Sequence, residues 1–421
     1  MNYYYKPSLF HKIISVFSLI LILFACDTSE NIEPRFDKFF IKYYGNSGNQ
    51  YGRDVVRTSD GGYILIGTND PDRSLTDGEN TGDEDIIMVK TDSVGNEEWI
   101  QIFDITGNAD FGKAVLPTTN GYLVIGDGIQ ADYDGIYFET DLDGNIIGGQ
   151  PKIVDEGGDE EFENVTELVD GYIIVGYTTK VRSEQGADPK DFLTIKLFSD
   201  LSEDPEWTQN KINGREGADF GIKAFPSPSD PTIITVFGYT DAPEEDNSVF
   251  SGSTYNSLQF DGTVTGIDRY YGDTEDEICA DISETPGGFL LTGSKITGLD
   301  QSEMYYIKTT GVATTTYALS VFSEFGFNLA GKSVVSAVDN KVLHLGEITY
   351  INGDKDIFLG KTNLDGTTQW FETFGDSGQD KAAKVIQNPD GSIVFTGTMN
   401  LSGQNKMFLI KTNSRGELNL D

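Results

Sequence analysis

A short run of apolar residues closing on glycine occurs seven times along the chain. It reads YILIG ending at Gly67, YLVIG at Gly126, YIIVG at Gly176 and ITVFG at Gly238. It returns as FLLTG at Gly293, VLHLG at Gly346 and SIVFTG at Gly397. Successive glycines lie 50 to 62 residues apart. A period of that size marks a repeat architecture, in which each copy is one supersecondary unit that buries its apolar face only against its neighbours. The copies fill residues 36–421 and leave no room for a second domain.

Each copy has four pieces. A first run such as YGRDVVRT or FGKAVLPT leads through SDGG, TNG or NPDG to the glycine-closed run. A third run follows (DIIMVKTD, DGIYFETD, DIFLGKTN), and a tight turn gives a fourth, EEWIQIF or TQWFETF. Runs of four to eight β-branched and aromatic residues between Gly and Asn are strands, and no long 3.6-residue period competes with them. The stretches KTDSVGNEEW and KTNLDGTTQW are therefore hairpins. Asp92-Ser93-Val94-Gly95 and Asn363-Leu364-Asp365-Gly366 are expected to turn on a glycine with positive φ. Four-stranded antiparallel units at this period predict an all-β fold, a seven-bladed β-propeller.

The copies resemble the bacterial seven-bladed β-propeller repeat family. The likeness lies in Asp-x5-Asp/Asn-Gly-x-Tyr-x3-Gly-Thr, then an aromatic or aliphatic run ending in Lys, then Gly and Trp. It covers nearly all of residues 36–421 and implies a shape rather than an activity. The fourth copy departs most, with Pro226, Pro228 and Pro231 and no Lys after its third run. Trp99, Trp207 and Trp370 are the only tryptophans, and each is expected in the fourth strand of its blade. There they would pack between blades, as in tryptophan-docked propellers of the quinoprotein type, or else offer a platform to sugars. The last copy stops where its fourth strand should begin, while FFIKYYG near the N-terminus matches WFETFG, with Phe40 in the place of the Trp. Residues 36–45 are expected to complete the seventh blade and close the ring.

Residues 1–25 carry Lys6, His11 and Lys12 and then an apolar run from Ile13 to Ala25, too short for a spanning helix and suited to a secretory signal. The run ends Leu23-Phe24-Ala25-Cys26, which resembles the lipobox of bacterial lipoproteins and implies a lipid on Cys26 after cleavage. The competing reading is a plain signal peptide. Residues 26–35 read as the lipidated Cys and an acidic tether. That acidic stretch is similar to the surface-export signal of Bacteroidota-type lipoproteins and implies an anchor on the outer membrane, exposed at the surface. A periplasm-facing anchor is the alternative.

Acidic residues outnumber basic ones 68 to 30, for a net charge of −38, a field that repels phosphate backbones and argues against nucleic acid. Two cysteines exclude a disulfide framework and a Cys-based zinc cluster, and Cys279 reads as a packed apolar group. One histidine, His344, stands outside the leader, so no multi-His metal site or His-based triad can be built, and no cofactor is expected. Carboxylates are the remaining acid–base machinery. Counting back from each first hairpin gives Asp110, Glu160, Asp219, Asp276 and Asp380, with Gln50 in the first copy. Arranged in a ring, these acids would either form an acidic mouth for calcium, a glycan or a protein partner, or cap their own turns. The sequence thus favours a lipid-anchored, non-catalytic binding or scaffold protein. A carboxylate-dependent glycan-active enzyme and an envelope-assembly scaffold are the other two readings.

Overall fold

Lys90 stands opposite Trp99, and Lys361 opposite Trp370, in two antiparallel hairpins. In the first turn the Gly95 N–H donates to the Asp92 carbonyl at 3.2 Å, and Asp92 Oδ1 accepts from the N–H groups of Val94 and Asn96. Gly95 has φ +77° and Gly366 φ +83°, and one bulge follows each turn. The Asp holds the turn and the glycine supplies the left-handed residue.

The computed structural model describes residues 38–71, 84–180, 190–213, 217–227, 230–240, 252–259, 269–271, 276–299, 301–310 and 314–418. The leader, Cys26 and the acidic tether lie outside these residues. Residues 1–38 and 39–421 are separate units, and the described strands belong to the second. Among the described residues, no helix is long and apolar enough to cross a membrane.

Among the described residues the strands form seven four-stranded antiparallel sheets, each a meander in chain order except the last. The first sheet is Gly48–Arg57, Tyr63–Pro71, Asp85–Thr91 and Glu97–Phe103. The second runs from Asp110–Pro117 to Ile146–Val154, the third from Glu160–Leu168 to Ile212–Asn213, and the fourth from Asp219–Ser227 to Arg269–Tyr271. The fifth runs from Asp276–Thr285 to Thr314–Ser320 and the sixth from Asn328–Ser336 to Thr368–Phe374. The seventh takes Lys381–Gln387, Ile393–Leu401 and Gln404–Thr412 and receives Phe40–Tyr44 as its outer strand, with Phe40 opposite Lys411. The fold is an all-β propeller of four-stranded antiparallel blades. Six blades are described through most of their side chains. In the fourth sheet the outer two strands are described by backbone pairing alone.

The burial pattern explains the sequence pattern. Second and third strands are covered on both faces, so they read as unbroken apolar runs: Tyr63, Ile64, Leu65 and Ile66 are fully buried. Fourth strands at the rim are half exposed and mix polar with aromatic residues. The core is a set of clusters, each drawn from two consecutive sheets. Ile64 and Met88 of the first sheet pack with Val124 and Phe138 of the second, and Phe40 and Leu409 of the seventh with Val55 and Leu65 of the first.

The outer aromatics sit at these seams. A Cβ on Gly144, in the second sheet's hairpin, would stand 3.0 Å from the Trp99 ring, and one on Gly416 2.7 Å from Trp370. Phe40 meets Gly95 in the same way. Each ring thus rests on the turn glycine of the following sheet. Trp207 departs from the expected fourth strand. It lies in a short 3₁₀ helix, Trp207–Asn210, buried against the third and fourth sheets, with its Nε1 donating to the Thr194 carbonyl at 3.2 Å. The strand that would have carried it is only Ile212–Asn213.

Candidate functional site

Every first strand breaks register at the same place. The shifts fall between Gly52 and Asp54, Gly112 and Ala114, Phe162 and Asn164, and Gly221 and Lys223. They recur between Cys279 and Asp281, Gly331 and Ser333, and Ala382 and Lys384. A bulge adds one unpaired residue and re-aims its side chain. The added residues include Arg53, Lys113, Glu163 and Lys332, and all seven line two adjoining central cavities of about 580 and 250 Å³. The glycines before the bulge allow close approach: a Cβ on Gly112 would meet the Gly67 carbonyl oxygen at 2.5 Å.

The charges in the cavity pair across it. Arg53 of the first sheet reaches Glu163 of the third at 2.8 Å. Lys113 of the second sheet lies 2.7 Å from Asp127, 3.3 Å from Glu161 and 3.8 Å from Glu163. Desolvation opposes the Glu163 charge, but Lys113 and Arg53 outweigh it and hold the carboxyl below its ordinary value. On the other side Asp281 of the fifth sheet takes Lys384 of the seventh on both oxygens, at 3.1 and 2.9 Å. Asp281 Oδ2 also accepts from Ser333 Oγ at 2.6 Å and from the Val334 N–H at 3.1 Å. Lys223 is 4.0 Å from the same carboxylate, and burial together with Lys384 pulls its ammonium down to about 8.

The acids picked out by counting occupy a different place. Asp110, Glu160 and Asp380 are fully buried and Asp219 is 2% exposed, so they do not form an open mouth. Asp110 Oδ2 accepts from the Ile105 N–H at 2.6 Å and Oδ1 from Thr106 Oγ1 at 2.9 Å. Glu160 accepts from the Glu156 N–H and Thr178 Oγ1, and Asp380 from the N–H groups of Asn400 and Asp376. Each ties the loop entering its blade, one per seam. In the fifth sheet the register replaces Asp276 by Glu277. Cys279 pairs with Gly293 as Gly112 pairs with Gly126, and two residues back stands Glu277, 5% exposed. Asp170 is the second residue of its two-residue turn, whereas Pro286 is the first of its own, so a count from Pro286 falls one short. The Asp276 side chain lies outside the described residues, as do loop residues 72–83 and 241–251.

His344 is fully buried, with Nε2 2.9 Å from Thr362 Oγ1 and its ring edge-on to Tyr306 and Phe322. Burial lowers its pKa to about 3, so it is a neutral core residue. Cys279 is buried in the cluster between the fourth and fifth sheets.

Counting back from the turns does not reach the bulge residues, although the sequence carries a signal: Arg53, Lys113 and Lys332 each follow a glycine directly at the same point of the first strand. No protein-family model matches the chain, and no curated protein matches it either. Among solved structures, a puromycin hydrolase is similar over 86% of this chain, at 13% identity and a TM-score of 0.52; the chain covers 53% of that protein. YCF48 bound to D1 peptide is similar over 90% of this chain and 96% of its own, at 10% identity and a TM-score of 0.49. The Pan2 WD40 domain of Neurospora crassa is similar over 89% and 94%, at 8% identity and a TM-score of 0.48. At such identities the likeness concerns the fold, and the fold is the β-propeller.

Proposed function

We propose that the seven sheets act as blades of one closed ring, and that this ring is a non-catalytic binding or scaffold protein of the bacterial envelope, anchored by a lipid on Cys26 at the outer surface. What supports the non-catalytic reading is that the cavity carboxylates are engaged: even Asp127, which burial raises to about 7, is tied to Lys113 at 2.7 Å and to the Phe162 N–H at 2.7 Å. Asp281 spends both oxygens on Lys384, Ser333 and the Val334 N–H, and Glu163 is held by Arg53 and Lys113. A general acid needs a pKa near the working pH and a free path to its substrate. These carboxylates instead brace one blade against another, and binding falls to the rims and loops.

Three measurements test the reading. Cys26→Ser is expected to abolish palmitate labelling and membrane partitioning, and a variant that stays on the membrane overturns the anchor. Protease shaving of intact cells separates a surface position from a periplasmic one. A panel of glycans and polysaccharides with product analysis is expected to give binding without cleavage. Any product that forms moves the protein to the carboxylate-dependent enzyme class.

A further inference from the structure

Asp110 and Glu160 have company at their seams. Asp134, Asp155 and Glu160 each bring one carboxylate oxygen to a common point, all within 4.8 Å of one another, and Asp85, Asp104 and Asp110 do the same. Register shows that the two triads are one device. Asp85 and Asp134 stand two residues before the partner of the glycine that closes the second strand, Gly67 and Gly126. Asp110 and Glu160 stand two residues before the equivalent partner in the next sheet. At the seam of the sixth and seventh sheets the same positions are Asp356 and Asp380, and a Cβ on Gly375 would collide with an oxygen of each.

Two independent observations indicate what such a site holds. Asp134 is only 2% exposed, and its Oδ1 has no hydrogen-bond partner. The ammonium groups nearby are already taken, since Lys180 and Lys211 both pair with Glu156. The second observation is the seam between the seventh and first sheets. There the position of Asp134 is Lys406, two residues before the Gly397 partner Phe408, and the position of Glu160 is Gln50. The position of Asp155, next after the residue paired beside Asp134, is Gly45. The Lys406 ammonium donates to Gln50 Oε1 at 2.8 Å, to the Gly48 carbonyl at 3.0 Å and to the Asn46 carbonyl. Where one of the other two acids becomes an amide and the other a glycine, the position of Asp134 supplies a cation of its own.

We propose that Asp134, Asp155 and Glu160 bind a calcium ion at the seam of the second and third sheets. Oxygen-only, carboxylate-rich sets suit a hard divalent cation, and the tolerance of calcium for irregular geometry fits a site assembled from two sheets and a loop. Exposed Asp155 leaves an entry path while Asp134 and Glu160 close the inner side. The ion would staple neighbouring blades, as Lys406 does within the chain. This assignment stands apart from the ligand surface proposed above.

The test uses the purified full chain with calcium chloride alone, read by calorimetry and by thermal melts in calcium, magnesium and EGTA. Calcium is expected to raise the melting temperature more than magnesium at the same concentration. Asp134→Asn is expected to lower the calcium stoichiometry by one and, in EGTA, to melt no lower than the parent, because it removes one of three crowded charges. If that variant does not fold, Asp155→Asn, at an exposed position, is expected to weaken the same site at least tenfold. Equal responses to calcium and magnesium, or an unchanged stoichiometry in the variants, overturn the assignment.

Discussion

Single residues at the seams do two jobs, and glycine shows how to separate them. Gly144 and Gly107 share a left-handed backbone, with φ +80° and +76°. A Cβ on Gly107 meets nothing within 4 Å, whereas on Gly144 it would stand 2.7 Å from Gln101 Cγ and 3.0 Å from the Trp99 ring. Gly107→Ala is therefore expected to cost only the backbone term, about 1–2 kcal/mol. Gly144→Ala adds overpacking of the docked tryptophan, about 1–3 kcal/mol more. Urea unfolding of the two variants measures the difference. Equal losses would mean that Trp99 yields freely and contributes little to the seam.

At the scale of the strand, the seventh sheet is completed by Phe40–Tyr44 lying along Gln404–Thr412. Phe40 and Tyr44 are buried in the cluster shared with the first sheet, and the Tyr44 hydroxyl donates to the Gly95 carbonyl at 2.8 Å. A chain beginning at residue 46 loses both side chains, roughly 3–6 kcal/mol at 1.5–3 kcal/mol each, and bares the edge of Gln404–Thr412. It is expected to melt well below a chain beginning at residue 36 or to lose its cooperative transition, and equal melts would refute closure. This strand was legible because FFIKYYG repeats WFETFG, as the hairpins were legible from KTDSVGNEEW. A repeat shows in sequence whatever every copy must repeat: the turn glycine, the apolar second strand, the outer aromatic. Trp207 was misplaced because its blade substitutes a 3₁₀ helix for most of the outer strand. Counting from a turn lands on Asp276 where the pairing puts Glu277, because a count cannot see a one-residue slip. The Arg53–Glu163 brace joins residues of the first and third sheets, a distance in sequence that no local pattern reports.

Across the whole molecule, the net charge of −38 is not spread evenly. The central cavities are lined by both signs in near balance, with Arg53, Lys113, Lys332, Lys381 and Lys384 facing six acids. The excess negative charge therefore lies outside them, and part of it is locked into the seams. Desolvation first, and neighbouring acids second, raise Asp134 to about 6 and push Asp356 above its ordinary value. Asp110, Glu160 and Asp380 also move up, because burial outweighs the hydrogen bonds they accept. A carboxyl raised in the folded state holds a proton that the unfolded chain has lost, so folding is linked to proton uptake between the two values. Without divalent cations, stability is then expected to rise as pH falls from about 7 toward 5. His344 opposes this, since the unfolded chain protonates it below its ordinary 6.5 while the folded core holds it neutral down to about 3. Burial raises two cavity carboxyls as well, Asp54 and Asp127, the latter to about 7, so His344 is one group against seven. Melts in EGTA from pH 8 to pH 5 should climb on acidification, and the climb should shrink in Asp134→Asn. Saturating calcium should flatten the profile by discharging the same carboxylates at neutral pH. A melting temperature that falls steadily over this range in EGTA would show that the seam acids ionise without cost, and that neither a proton nor a metal is needed between the blades.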